Sequence, residues 1–105
     1  MGQVKGTLVR VNTRLINTPA PQIISTSTTQ AMSGALGTHE VMILSDAASY
    51  IREDTDAALT ATPVTSANGH YIPANTRIPM IVDPGNKIGI ITLASTGHLY
   101  ISNLG

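Results

Sequence analysis

Residues 83–101, DPGNKIGIITLASTGHLYI, decide how this chain is to be read. They open with Asp83-Pro84-Gly85-Asn86, which suits a type II turn. Proline pre-sets φ at the second position, and glycine supplies the positive φ needed at the third. Two β-prone runs follow, 87–93 and 98–103, separated by residues 94–97. A loop of that length predicts a β-hairpin. Ile90 then falls near Ile101 and Thr92 near Leu99 on one face, with Ile91 near Tyr100 on the other. Cross-strand pairs of this kind contribute roughly 0.2–1 kcal/mol each. Apolar side chains of both parities predict a strand pair covered on both sides. Gly89, inside the first run, predicts a bulge or the close approach of another segment.

The same punctuation extends towards the N-terminus. An Asn68-Gly69 step signals a hairpin turn, with one short strand over 70–73 and the next over 77–82. Pro73 and Pro79 cannot donate to a ladder, which places them at strand ends or sheet edges. HEVMILS, residues 39–45, puts Val41 and Ile43 on one side and Met42 and Leu44 on the other, so this strand too is expected to be covered on both faces. ASYIRE follows after a tight connection at Ser45-Asp46-Ala47. In DTDAALTATP, Asp54 or Thr55 can cap a single helical turn holding Ala57, Ala58 and Leu59, which Pro63 ends. QIISTSTTQ is β-prone, and AMSGALG is a glycine-containing loop. Near the start, QVKGTLVRVN alternates, with Thr7, Val9 and Val11 on one side and Leu8 and Arg10 on the other. Pro19 and Pro21 then impose an extended stretch.

About eight short strands at these spacings predict an all-β fold, a small β-sandwich or jelly-roll-like unit with an extended N-terminal arm. The composition divides the chain into an arm with strands over 1–37 and a compact β-unit over 38–105, within one structural domain. A chain of 105 residues buries roughly 65% of its unfolded surface, enough for one modest core. There is no Phe and no Trp, and three Tyr, so Ile, Val, Leu, Met and Ala must build that core. Charged residues make up 11%, a poor outfit for a surface that stays solvated alone. Both features predict a subunit covered by other protein in use.

Formal net charge is zero, but its distribution is uneven. Residues 1–39 carry Lys5, Arg10 and Arg14 and no acid, while all six acids lie between Glu40 and Asp83. A basic front part can dock on an acidic partner. Three cations without aromatic partners fall short of a nucleic-acid surface. The absence of cysteine excludes disulfides and thiol chemistry. The opening residues lack the apolar core of a signal peptide, and no apolar run is long enough to span a membrane.

Chemistry is hard to assemble from the remaining residues. His39, His70 and His98 are scattered and read as strand-end residues rather than a metal site. Glu53, Asp54 and Asp56 lack the spacing of a calcium loop and read as a solvated acidic loop. Neither a Gly-x-Ser-x-Gly elbow nor a phosphate-binding glycine loop is present. Tyr50, Tyr71 and Tyr100 would form a sugar-stacking platform if coplanar and exposed, and core tyrosines otherwise. No catalytic residue, cofactor or metal is therefore expected.

HEVMILSDAASYIRE, ATPV, YIPANT, VDPGNKI and TGHLYIS, spread over residues 39–103, together resemble small structural proteins of tailed bacteriophages, of the capsid decoration (cement) type. That resemblance implies a non-enzymatic β-fold on the capsid surface of the virion, made in the host bacterial cytoplasm. It implies the major capsid protein as partner and self-association as a homotrimer, or alternatively a dimer. Lys5, Arg10 and Arg14 are the expected capsid contacts, with Pro19 and Pro21 stiffening the arm. A neck, baseplate or tail-fibre module, and a carbohydrate-binding β-sandwich, are the alternatives.

Overall fold

The structure, a computed structural model, describes residues 20–104. Among these residues eight strands appear in chain order: β1 (Gln22–Thr26), β2 (Ala31–Met32), β3 (Glu40–Ser45), β4 (Ser49–Asp54), β5 (His70–Ile72), β6 (Ile78–Ile81), β7 (Lys87–Thr92) and β8 (Gly97–Asn103). Among the described residues one short helix, α1 (Asp56–Ala61), lies between β4 and β5. The pairing is nested and antiparallel: β1 with β8, β2 with β7, β3 with β6, and β4 with β5. This is the pairing of one long hairpin that has been rolled up. Two further antiparallel pairs, β3 with β8 and β4 with β7, close the roll into two four-stranded sheets. Sheet I has the order β1-β8-β3-β6 and sheet II the order β2-β7-β4-β5. The result is a jelly roll, in which each sheet hides its inner face against the other.

The core is what alternation predicts. Val41, Ile43, Leu99 and Ile101 point inward from sheet I; Ile51, Ile72, Ile88 and Ile90 point inward from sheet II; all are buried. Leu36 and Val82 close the core from the connections. No ring enters this cluster, so aliphatic packing alone holds the sheets together.

Two expectations about connections are corrected. Residues 87–103 do not form a hairpin, because β7 belongs to sheet II and β8 to sheet I. Ile90, Thr92, Leu99 and Ile101 are all buried and face inward, as parity required, but from opposite sheets. Ile91 and Tyr100 consequently lie on opposite outer faces of the molecule. A four-residue loop can turn within a sheet or cross to the facing one, and alternation is the same in both cases. Likewise β5 and β6 lie in different sheets, and Gly69 ends a turn in which its N–H donates to the carbonyl of Thr65 (2.9 Å). Also, β1 and β2, which precede residue 38, are strands of the same two sheets as the rest.

Several local readings hold. Gly85 adopts φ 93°, and Asn86 N–H donates to Asp83 O at 3.1 Å, closing the expected turn. Thr55 caps α1, its hydroxyl accepting from Ala58 N–H at 3.1 Å. The tight β3–β4 crossing is built on Ser45 and Ser49, both fully buried. Their hydroxyls lie 3.1 Å apart, and each donates to the carbonyl of Ala47 at 2.7 Å. Buried hydroxyls must find partners, and here they find them in the turn itself.

Candidate interaction surface

Side chains directly opposite one another on neighbouring strands share a face. The register of sheet I therefore fixes what its outer face displays. Tyr100 on β8 stands between Ile23 on β1 and Leu44 on β3. In the next row, Met42 stands between Ser102 and Pro79. Beyond it, Glu40 is opposed by Ile81. Ile81 is 84% exposed, Ile23 67% and Tyr100 39%, while Met42 and Leu44 are half-buried. A groove of about 560 Å³ runs between Met42, Leu44, Arg77, Tyr100, Ser102 and Leu104. Among the described elements no helix covers this face. Isolated exposed apolar residues are ordinary, but apolar residues on all four strands of one face mark a candidate contact surface.

The outer face of sheet II is treated differently. α1 and the segment after it fold over β7, and their buried side chains Leu59 and Val64 meet the sheet at Gly89. A Cβ on Gly89 would stand 2.8 Å from Val64 Cγ2 and 3.0 Å from Leu59 Cδ2, so the glycine is there to admit the close approach the sequence predicted. Gln30 ties the cover down: its Nε2 donates to Leu59 O at 3.0 Å, and its Oε1 accepts from Val64 N–H at 2.7 Å. Arg52 Nη2 donates to Thr62 O at 2.8 Å. The expectation that both sides of the strands are covered is thus met around Gly89, while among the described residues no element covers the outer face of sheet I.

The chemistry-bearing residues are occupied with structure. Glu53 Oε2 accepts from Asp83 N–H at 2.8 Å and from Asn86 Nδ2 at 2.9 Å, pinning the β6–β7 turn. Asp54 Oδ1 accepts from Thr55 N–H at 2.8 Å, and Asp56 pairs with Lys87 Nζ at 2.9 Å. Asp46 Oδ1 accepts from His98 N–H at 2.7 Å, and its Oδ2 lies 3.4 Å from His98 Nδ1. Ser25 opposes His98 across β1 and β8, so a serine, a histidine and an aspartate do share one end of the fold. They lie at an open rim, where the Asp46 carboxylate clamps the β3–β4 loop to the start of β8. Among the described residues, no three His, Cys, Asp or Glu side chains gather as a metal site would require. None of the described helices is long and apolar enough to cross a membrane.

The tyrosines do not form one platform. Tyr50 and Tyr71 meet edge to face on sheet II, with centroids 5.8 Å apart and planes at 65°. Tyr100 is on sheet I, tilted at 42° to the ring of His98. Of the expected partner contacts, Lys5, Arg10, Arg14 and Pro19 lie outside the described residues, and Pro21 is exposed just ahead of β1. The apolar face was not singled out from the sequence. Its signal was the double parity of VMIL and of KIGIIT–GHLYIS, which shows that outward apolar residues exist without showing which of them stay bare.

Comparison with protein-family models, with curated proteins and with solved structures returned no match.

Proposed function

We propose that this chain is a non-enzymatic virion structural protein, a capsid decoration (cement) protein that binds across junctions of the major capsid protein and stabilises the shell. The observation that carries this reading is the outer face of sheet I, which no described element covers and which displays Ile23, Tyr100, Leu44, Met42 and Ile81. Covering an apolar side chain completely contributes roughly 1.5–3 kcal/mol, which makes such a face costly to leave in water and useful at an interface. The phage-like motifs over residues 39–103 support the virion setting, and the small aliphatic core supports a subunit that gains stability by assembly. Self-association is as a homotrimer, with a dimer as the alternative.

The mechanism is linkage. A protein that binds the assembled shell and not its separated subunits adds its binding free energy to the assembled state alone. Many symmetric copies act together, so modest individual interfaces suffice. In this reading Lys5, Arg10 and Arg14 contact the capsid, and Pro19 and Pro21 stiffen the segment that carries them. The test is quantitative protein analysis of purified particles of the virus that encodes the chain. Decoration requires a copy number of the same order as the major capsid protein. A handful of copies per particle would reassign the chain to a neck, baseplate or fibre.

A further inference from the structure

We propose that Asn68 is a self-modification site gated by the cover over sheet II. While the cover is closed its side-chain amide is held, and once the cover opens it deamidates irreversibly through the Gly69 nitrogen. The site lies apart from sheet I and stands independently of a role in a virion. Asn68-Gly69 is the one Asn-Gly step in the chain. Asparagine before glycine closes readily into a cyclic imide, because no side chain on the second residue hinders the approach of its backbone nitrogen.

The fold demands this reactive pair. A Cβ on Gly69 would stand 2.9 Å from Thr65 O, 2.9 Å from Val64 Cγ1 and 3.0 Å from Tyr50 Cβ, so packing requires glycine there. Asn68 Nδ2 donates to Pro63 O at 3.0 Å, and Asn68 Oδ1 accepts from Thr65 N–H at 2.8 Å. An amide supplies a donor and an acceptor together, which a carboxylate does not. The Gly69 N–H meanwhile donates to Thr65 O at 2.9 Å. Both partners of the ring closure are thus engaged within residues 63–69, and closure requires those bonds to break.

The cover that holds them is thin. Over 61–67 only Val64 is buried, and the six-residue α1 before it buries only Leu59. Few buried contacts and a short helix put a segment at the low end of local stability. In the open cover the deprotonated Gly69 nitrogen attacks Asn68 Cγ. The N–Cγ bond forms, the Cγ–Nδ2 bond breaks, and ammonia leaves with the proton that the Gly69 nitrogen gave up. Water then opens the imide at either carbonyl, giving aspartate or isoaspartate. Aspartate sets an acceptor where Nδ2 had donated to Pro63 O, and isoaspartate lengthens the main chain just ahead of β5. Neither product restores all the bonds of the closed cover, so an opening that reacts is recorded permanently.

The test incubates the full-length chain in mildly alkaline buffer, folded or in urea, and follows ammonia loss at Asn68 by peptide mass mapping. The folded chain is expected to react at least about ten times more slowly, because the pair is competent only in the fraction of molecules with an open cover. Gln30→Ala removes the two bonds that tie the cover to Leu59 and Val64, and should raise the folded rate several-fold with the circular dichroism of the sheets intact. Gln22→Ala, which removes a bond to Gly34 outside the cover, should leave the rate unchanged. Equal rates in the folded chain and in urea overturn the proposal, as does a Gln30→Ala rate no faster than that of Gln22→Ala. Should Gln30→Ala fail to fold, the wild-type chain decides. Amide exchange at Val64 and Gly69 gives its open fraction, and a folded-to-urea rate ratio that departs from that fraction overturns the gating. The purified deamidated chain should exchange Val64 faster than the native one while Ile43 and Ile101 stay protected; unchanged exchange at Val64 overturns the permanent record.

Discussion

The two sheets of this jelly roll share a core but end in opposite ways on the outside. Sheet II is roofed by part of its own chain: α1 and the following segment bring Leu59 and Val64 down on Gly89, and Gln30 holds them there with two hydrogen bonds. Sheet I presents Ile23, Tyr100, Met42, Leu44 and Ile81 without a roof among the described elements. Outward apolar residues thus have two fates in one small fold. On sheet II the part of the face at Gly89 lies under Leu59 and Val64, while along the row Tyr71, Tyr50 and Ile91 the half-buried Tyr50 and Ile91 adjoin an exposed Tyr71. On sheet I, among the described residues, Met42 and Leu44 are only half-buried and Ile23, Tyr100 and Ile81 stay exposed, which is why that face, rather than any cluster of polar groups, is the candidate site.

A matched pair of truncations tests this contrast at its strongest point. Leu59 is fully buried between the helix and the sheet, and Leu44 is half-buried on the bare face. Leu59→Ala should destabilise the chain by about 2–4 kcal/mol, the range for a buried leucine that leaves a cavity. Leu44→Ala should cost less, about 1–2 kcal/mol, because Leu44 is only partly buried. Urea titration in dilute solution measures both. Equal losses would mean that the chain itself covers sheet I, and the comparison would fail.

The cap of α1 comes next in size. Thr55 Oγ1 accepts from Ala58 N–H at 3.1 Å, and the helix it starts is only six residues long. So short a helix is marginal by itself and depends on its cap and its packing. Thr55→Ala should therefore cost about 1 kcal/mol. The loss should appear as faster amide exchange in α1 and at Val64 before any change in sheet I. Exchange that quickens uniformly over both sheets would show that the roof is not a separate layer.

How much of this was legible in the sequence follows from what each signal encodes. Alternation encodes parity, so the inward set of Val41, Ile43, Ile88, Ile90, Leu99 and Ile101 could be read directly. Turn and cap chemistry is local, so the Pro84-Gly85 turn and the Thr55 cap could be read as well. Pairing is not local. Nothing in residues 83–101 distinguishes a loop that turns within a sheet from one that crosses to the other, and the expected hairpin was therefore two strands of different sheets. β2, two residues of AMSGALG, was too short to show a period at all. Gly89 announced a close neighbour, but its neighbour Leu59 lies thirty residues away in sequence and carries no mark that links the two. The outer face of sheet I was half-legible for the same reason: Met42 and Leu44 fell on the opposite side of the strand from Val41 and Ile43, while which side faced outward, and what met it, depended on distant chain. The expected cationic contacts Lys5, Arg10 and Arg14 precede the first described residue.

The smallest expected effect on stability is the most informative about function. Ile81 is 84% exposed on an edge strand, opposite Glu40. Ile81→Thr keeps the β-branch that suits a strand and removes apolar surface that the single chain barely uses. Unfolding in urea should shift by no more than about 0.5 kcal/mol, as for a surface site with no buried partner. Self-association, followed by sedimentation velocity across a concentration series, should weaken in the same variant, because the removed surface is the kind that gains by being covered. Stability and association are thereby separated at one position. A loss of more than about 1 kcal/mol in dilute solution would place Ile81 under cover within its own chain. Unchanged association would move the contact surface off sheet I altogether, and with it the contrast between the roofed and unroofed faces as an account of what this fold is for.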